Sequence, residues 1–158
     1  SGLYPCAPGG PNDYIWIMTS RANPEHWSRL CKVMGKEDLI EDPRYATTAA
    51  RVKNEAEVDS MIAAWTKQRT KYDAMKEVGG AGIPAGAVLD TMELLNEPTS
   101  AARGIIQVMP HKTHPVKMPS WPARINGKPP TGKTSPGHGE HTVDVLTSCL
   151  GLRADEVD

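Results

Sequence analysis

Residues 82–90 read Gly82-Ile83-Pro84-Ala85-Gly86-Ala87-Val88-Leu89-Asp90. Just upstream, Thr70 can cap a helix with Tyr72, Met75 and Val78 facing inward, and Gly79-Gly80-Ala81-Gly82 ends it with residues that tolerate positive φ. The chain then turns at Ile83-Pro84, and Ala85 to Leu89 reads as a short strand. Asp90 reads as a turn or cap ahead of a brief helix opened by Thr91. A glycine-rich run can offer backbone N–H groups to a phosphate. This one follows a helix, where carbonyls point outward, and it lacks the Lys-Ser/Thr ending of a phosphate loop. Its local meaning is therefore helix stop, turn and strand.

Working outward from that stretch, Tyr14-Ile15-Trp16-Ile17-Met18-Thr19 is β-branched and aromatic behind a Pro/Gly-rich turn, and predicts a strand over 14–20. Asn23 as cap and Pro24 at the first helical position open a helix whose Trp27, Leu30, Cys31 and Met34 recur at i, i+3, i+4 and i+7 before Gly35 stops it. Past Asp42-Pro43, a long helical stretch carries Val58, Met61, Ile62 and Trp65 at the same spacing. Downstream, Gly104 is a hinge into a strand over 105–109. Prolines at 110, 115, 119, 122, 129, 130 and 136 then leave little regular structure beyond a strand near 116–125. Gly139 to about Leu150 is amphipathic through Val143, Leu146 and Leu150, with a further turn starting at Arg153. The pattern predicts an α+β fold. A small, mostly antiparallel sheet of three to four strands carries helices on one side, followed by a Pro-rich arm and a C-terminal amphipathic helix.

Eighteen basic against nineteen acidic residues give a net charge of −1, which supplies no overall field for nucleic acid. Cys6, Cys31 and Cys149 are far apart and form no CxxC pair, so neither a disulfide framework nor a thiolate zinc site is indicated and a cytoplasmic setting is expected. No apolar run reaches the roughly 20 residues that span a bilayer. Ser1-Gly2 reads as a cut point, with polypeptide expected upstream.

Several residues have the right chemistry in unpersuasive places. His111 with His114 and His138 with His141 have HxxH spacing, but they sit in a Pro-rich arm and at a helix start, and no metal site is assigned. Cys31 and Ser135 are nominal nucleophiles with no base placed beside them, and Cys31 lies on an apolar stripe where a thiol is inert. Trp121, flanked by Ser120 and Pro122, is expected to pin the arm onto a core. Lys112, Lys117, Arg124, Lys128 and Lys133 make the arm basic, facing either solvent or a phosphate-bearing ligand.

The 82–90 stretch, the following Thr91-Met92-Glu93-Leu94-Leu95 and Arg103-Gly104, then Met118-Pro119-Ser120-Trp121-Pro122 and Gly139-Glu140-His141-Thr142-Val143-Asp144-Val145-Leu146, occur in an order that resembles class III CoA-transferases. Formyl-CoA transferases, carnitine CoA-transferases and α-methylacyl-CoA racemases form the group. The Ser135-Pro136-Gly137-His138 stretch departs from it, since many members carry a leucine before Gly-Glu-His.

The resemblance implies a small domain over 3–109, an arm over 110–138 and a C-terminal helical segment over 139–158. It also implies a tail that returns to a large domain within a homodimer of interlocked chains. The family moves CoA from a thioester to a free carboxylic acid through an aspartate, by anhydride and aspartyl-thioester intermediates, while its racemase relatives shift a proton. The aspartate and the glycine-rich loop over the active site are expected upstream of the matched segment. No residue here is assigned a catalytic role, and no covalently bound cofactor is expected. CoA thioester is the implied substrate, with Ile83 and Pro84 its candidate contacts. The expectation is a part of a CoA-transferase that does not turn over alone; the alternative is a stand-alone binding or assembly module that reuses the fold.

Overall fold

In the computed structural model the described residues are 1–20, 22–111 and 113–157, apart from the side chain of Ala154, and the chain divides into two units, Ser1–Asp90 and Thr91–Asp158.

The first unit is built on three antiparallel strands in the order β1 (Gly2–Pro5), β2 (Tyr14–Ile17), β3 (Ala85–Ala87). Leu3 stands opposite Trp16, and Trp16 opposite Gly86. Side chains alternate across a strand, so this register sends Tyr4, Ile15 and Ile17 into the core and leaves Leu3 and Trp16 exposed on the other face. Burying each isoleucine contributes about 1.5–3 kcal/mol. The predicted strand over 14–20 ends at Ile17. Gly2, read as part of a cut point, is the first residue of a strand.

Helices cover the inner face. α1 (Glu25–Met34) buries Trp27, Leu30, Cys31 and Met34, the predicted stripe, and ends at Gly35 with φ +65°. Its start differs by one position. Pro24 is the cap, while the Asn23 carboxamide accepts from the Glu25 amide at 3.1 Å.

The long helix expected after Pro43 is two helices, α2 (Thr48–Lys53) and α3 (Glu55–Thr66). Asn54 breaks it. Its side chain donates to the Ala50 carbonyl at 3.1 Å and to that of Arg44 at 2.9 Å, offering the backbone a local alternative to helix. α3 buries Val58, Ile62 and Trp65 as its spacing required, and Thr66 donates from Oγ1 to the Pro5 carbonyl at 2.7 Å, tying the helix to β1.

Thr70 caps α4 (Lys71–Gly80) by accepting from the Asp73 amide at 3.1 Å. Val78 faces inward as expected, but the two earlier inward positions are shifted by one residue. Lys71, Ala74 and Val78 are buried, Met75 is half-buried and Tyr72 is exposed. Lys71 goes inside because its ammonium donates to the carbonyls of Asn12 (3.1 Å) and Val88 (2.8 Å), while its stem packs under the sheet. Position 82 has φ +75°, and an added Cβ would stand 2.7 Å from an Arg29 guanidinium nitrogen.

The second unit holds α5 (Thr91–Asn96), α6 (Pro98–Ala102), the hairpin β4 (Ile106–Met109) with β5 (Val116–Pro119), and α7 (Thr142–Leu150). α6 was not anticipated. Glu97 caps it through the Ser100 amide at 2.7 Å, with Pro98 at its first turn, and these amide hydrogen bonds hold the Glu97 carboxyl below the usual range.

The strand expected near 116–125 stops at Pro119. Asn126-Gly127, both at positive φ, instead make a tight turn that pairs Ile125 with Lys128. The arm runs back along the hairpin, with Gln107 donating to the Pro130 carbonyl (2.9 Å) and Thr134 to that of Pro110 (2.8 Å). Among the described residues of this unit only Ser100 and Ile106 are buried. No helix among the described residues is long and apolar enough to cross a membrane.

Candidate functional site

A cleft of about 470 Å³ opens in the first unit where β2 ends, between α1 and the α2–α3 pair. That volume falls within the usual range of small-molecule sites. Its walls are apolar at Ile17, Trp27, Leu30, Val58 and Ile62, and its polar groups come from Ser1 and Tyr4, from Thr19, Ser20 and Asn23 after β2, and from one face of α2–α3.

Tyr4, alternating inward on β1, donates from its phenol to Asp59 Oδ1 at 2.7 Å. Burial and then the Asp59 acceptor push the phenol well above its ordinary range, so it remains a neutral donor. Glu55 lies one turn before Asp59 on the same face of α3, and its charge adds to the rise at Tyr4. Neither carboxylate makes an ion pair among the described residues.

Arg51 lines the same cleft, yet its fork is already engaged. Nη1 donates to the carbonyls of Tyr45 (2.6 Å) and Ala46 (3.1 Å), Nη2 donates to Thr48 Oγ1 (3.1 Å), and the guanidinium lies over the Trp27 ring at 5.1 Å. Burial pulls its pKa down. The spacing of 51, 55 and 59 along α2–α3 could have shown this face in the sequence; the contribution of Tyr4 could not be found before β1 was placed.

The residues singled out from the sequence scatter. Ile83 is wholly buried, its amide donating to the Val78 carbonyl, whereas Pro84 is exposed and its carbonyl accepts from the Met18 amide at 2.9 Å. Ala81 and Gly82 donate to the carbonyls of Glu77, Val78 and Gly79, so these amides close α4 and cradle no anion. Asp90 accepts from the Asn12 carboxamide at 3.2 Å.

Cys31 is fully buried, and burial pushes its thiol up to about 11. The rings of His111 and His114 lie 5.9 Å apart, both in contact with Thr113 Oγ1. Among the described residues no three His, Cys, Asp or Glu side chains converge as a metal site. Trp121 does not pin the arm onto a core: it is 71% exposed, and among the described residues of its unit only Ser100 and Ile106 are buried. Lys112 lies outside the described residues. Arg124 donates to the carbonyls of Arg103 and Gly127, and Lys117 to the Asn96 side chain.

With this fold and these landmarks in place, the chain belongs to CoA-transferase family III, whose family pattern matches residues 1–142. Over 154 residues it is 30% identical to the formyl-CoA:oxalate CoA-transferase of Streptomyces avermitilis, covering 96% of this chain and 37% of that protein. Over 159 residues it is 33% identical to the succinyl-CoA–D-citramalate CoA-transferase of Chloroflexus aurantiacus, covering 99% and 38%. The fold is shared with a CAIB/BAIF family protein from Brucella suis, with a TM-score of 0.74 at 24% identity over 99% of this chain and 37% of that one. The chain thus spans a little over a third of the length of the curated relatives it matches.

Proposed function

We propose that this chain is the small domain and returning tail of an acyl-CoA:carboxylate CoA-transferase and that it acts only when joined to polypeptide supplying the nucleophile. The observation that carries this reading is the second unit, whose hairpin, arm and terminal helix expose Val108, Trp121, Ile125, Val143 and Leu150. A segment that buries so little apolar surface has little to offset the entropy of ordering it, and covering those side chains with further chain supplies what is missing. The partial span against the relatives supports the same view.

The chemistry requires a carboxylate held where the thioester carbon arrives, with donors for the developing oxyanion. Cys31 is sealed in the core, and Asp90, the carboxylate beside the signature, accepts from the Asn12 carboxamide, which supports a nucleophile supplied by further polypeptide. Pro84, at the surface, is the member of the Ile83-Pro84 pair that a bound thioester would touch. The working form is a homodimer, with coenzyme A thioester and a carboxylic acid as substrates.

The test is a chain lengthened to the extent of its relatives and assayed with formyl-CoA and oxalate, succinyl-CoA and D-citramalate, and a panel of other acyl-CoA and acid pairs. Exchange of CoA by the lengthened chain is the expected result. A folded, lengthened chain that exchanges CoA with no pair would overturn the proposal.

A further inference from the structure

We propose that the β4–β5 hairpin and the arm lying along it form a cationic surface that draws in the phosphate-bearing end of a coenzyme A thioester. This rests on the CoA-transferase reading and assigns the phosphates of its substrate to residues of this chain. Residues 98–139 contain no Asp or Glu, yet they hold Arg103, Lys112, Lys117, Arg124, Lys128 and Lys133, together with three histidines. The rest of the chain keeps twelve of the eighteen basic residues against all nineteen acidic ones, so a net charge of −1 conceals a strongly basic segment. Such a one-signed stretch raises the local concentration of a small polyanion even where the whole protein offers no net field.

The fold gathers these charges. Arg124 donates to the carbonyls of Arg103 and Gly127, and Lys128 pairs with Ile125 across the Asn126-Gly127 turn. The Pro129 ring sits against Gly104, 2.6 Å from the position a Cβ would take there. Residues 103–104 and 124–129 therefore meet at one end of the hairpin. The arm then follows the hairpin through the Gln107–Pro130 and Thr134–Pro110 hydrogen bonds, which carries Lys133 toward the other end, where Pro110 leads into His111. Cations far apart in sequence thus share one short hairpin.

Among the described residues no carboxylate pairs with Arg103, Arg124, Lys128 or Lys133, and all four are exposed. The carboxylates that flank the segment are turned to other work: Glu97 accepts from the Ser100 amide and Glu140 from the Gly137 amide, while Asp155 pairs with Arg153. Asp144, on α7, makes no ion pair with any of them. Long Lys and Arg side chains keep their heads in water when apolar neighbours are covered, so further chain over Val108, Trp121 and Ile125 is compatible with free cations here. Guanidinium and ammonium groups bind phosphate through charge-assisted hydrogen bonds, and coenzyme A carries a diphosphate and a 3′-phosphate at one end.

The experiment uses the chain lengthened to the extent of its relatives and measures the heat of binding of coenzyme A, 3′-dephospho-coenzyme A and pantetheine. Binding is followed at about 0.01 M and about 0.15 M ionic strength, where charges are screened over roughly 30 and 8 Å. Coenzyme A should bind at least tenfold tighter than pantetheine at low salt, with the dephospho form between them. Combining Arg103→Gln, Lys128→Gln and Lys133→Gln breaks no side-chain hydrogen bond seen here and should weaken coenzyme A binding at low salt fivefold or more, with pantetheine unaffected. Lys36→Gln, Lys53→Gln and Lys67→Gln, at three exposed lysines of the first unit without ion pairs, remove the same charge and should change the affinity less than twofold. In the exchange assay the first triple variant should raise KM for the acyl-CoA to the same extent and leave kcat unchanged. No loss in the first triple variant, equal losses in both, or a loss for pantetheine as large as for coenzyme A would each overturn the proposal. A lengthened chain that binds coenzyme A through these residues but exchanges it with no acid would support this surface and contradict the CoA-transferase reading, so the two failures are told apart.

Discussion

Gly82 and Gly104 show how much of this fold depends on single backbone positions. Both have positive φ, and an added Cβ would meet the Arg29 guanidinium at position 82 and the Pro129 ring, 2.6 Å away, at position 104. A flexible arginine can move aside, but a proline ring packed in the arm moves less. Gly82→Ala should therefore cost about 1 kcal/mol and Gly104→Ala about 2 kcal/mol, read as shifts in urea midpoint at constant slope for the first and as lost amide protection in residues 104–132 for the second. Equal and negligible effects would refute the steric reading.

Cys31 gives a pH prediction. Its folded pKa, about 11, lies above the ordinary value of 9.0, so the folded chain holds that proton longer. The associated stability is complete below pH 9 and is lost as pH rises through 11, by up to about 2–3 kcal/mol. Tyr4, raised in the same direction, extends the loss upward. Cys31→Ala should show a shallower fall in stability between pH 9 and 11 than the parent chain, measured by urea denaturation at each pH; parallel curves would show that the thiol is not the group responsible.

At the scale of elements, periodicity and capping chemistry were legible wherever a helix packs on the sheet by one face. The Trp27–Leu30–Cys31–Met34 stripe, the Gly35 stop, the Thr70 cap and the Gly82 turn all stand where spacing put them. Thr70→Ala removes the acceptor for the Asp73 amide, and a loss of about 1 kcal/mol in a thermal or urea melt is the expected result. No change would mean that Asp73 or water takes over the cap.

The failures have physical causes of the same kind. Tyr72 looked apolar enough to face inward, but Lys71 has two carbonyls within reach of its ammonium and takes the inner position. The break at Asn54 came from a side-chain hydrogen bond that hydrophobic spacing does not register. β1 was hidden because Gly-Leu-Tyr-Pro is too short to show an alternation, and its pairing with Tyr14–Ile17 is non-local. The polar face of the cleft was partly readable from 51, 55 and 59, while Tyr4 joins it only through that pairing.

For the whole molecule, the two units differ in kind. The first has a continuous core from Tyr4 to Ile83, and the second, among its described residues, has hydrogen bonds but buries only Ser100 and Ile106. Hydrogen exchange on the 158-residue chain should therefore show protection in residues 14–17, 58–66 and 74–83 that exceeds protection in 106–119 and 142–150 by orders of magnitude. Comparable protection in both sets would mean that the second unit finds its own cover, which is what a stand-alone module requires.

The chain belongs to CoA-transferase family III, and the proposal that it needs further polypeptide to turn over stands on a simple assay. Its most direct measurement is CoA exchange by the purified 158-residue chain, with an acyl-CoA and a free carboxylic acid as the only additions and the product thioester resolved by chromatography. The account predicts a rate indistinguishable from the protein-free control; clear turnover that scales with the concentration of this chain would contradict it.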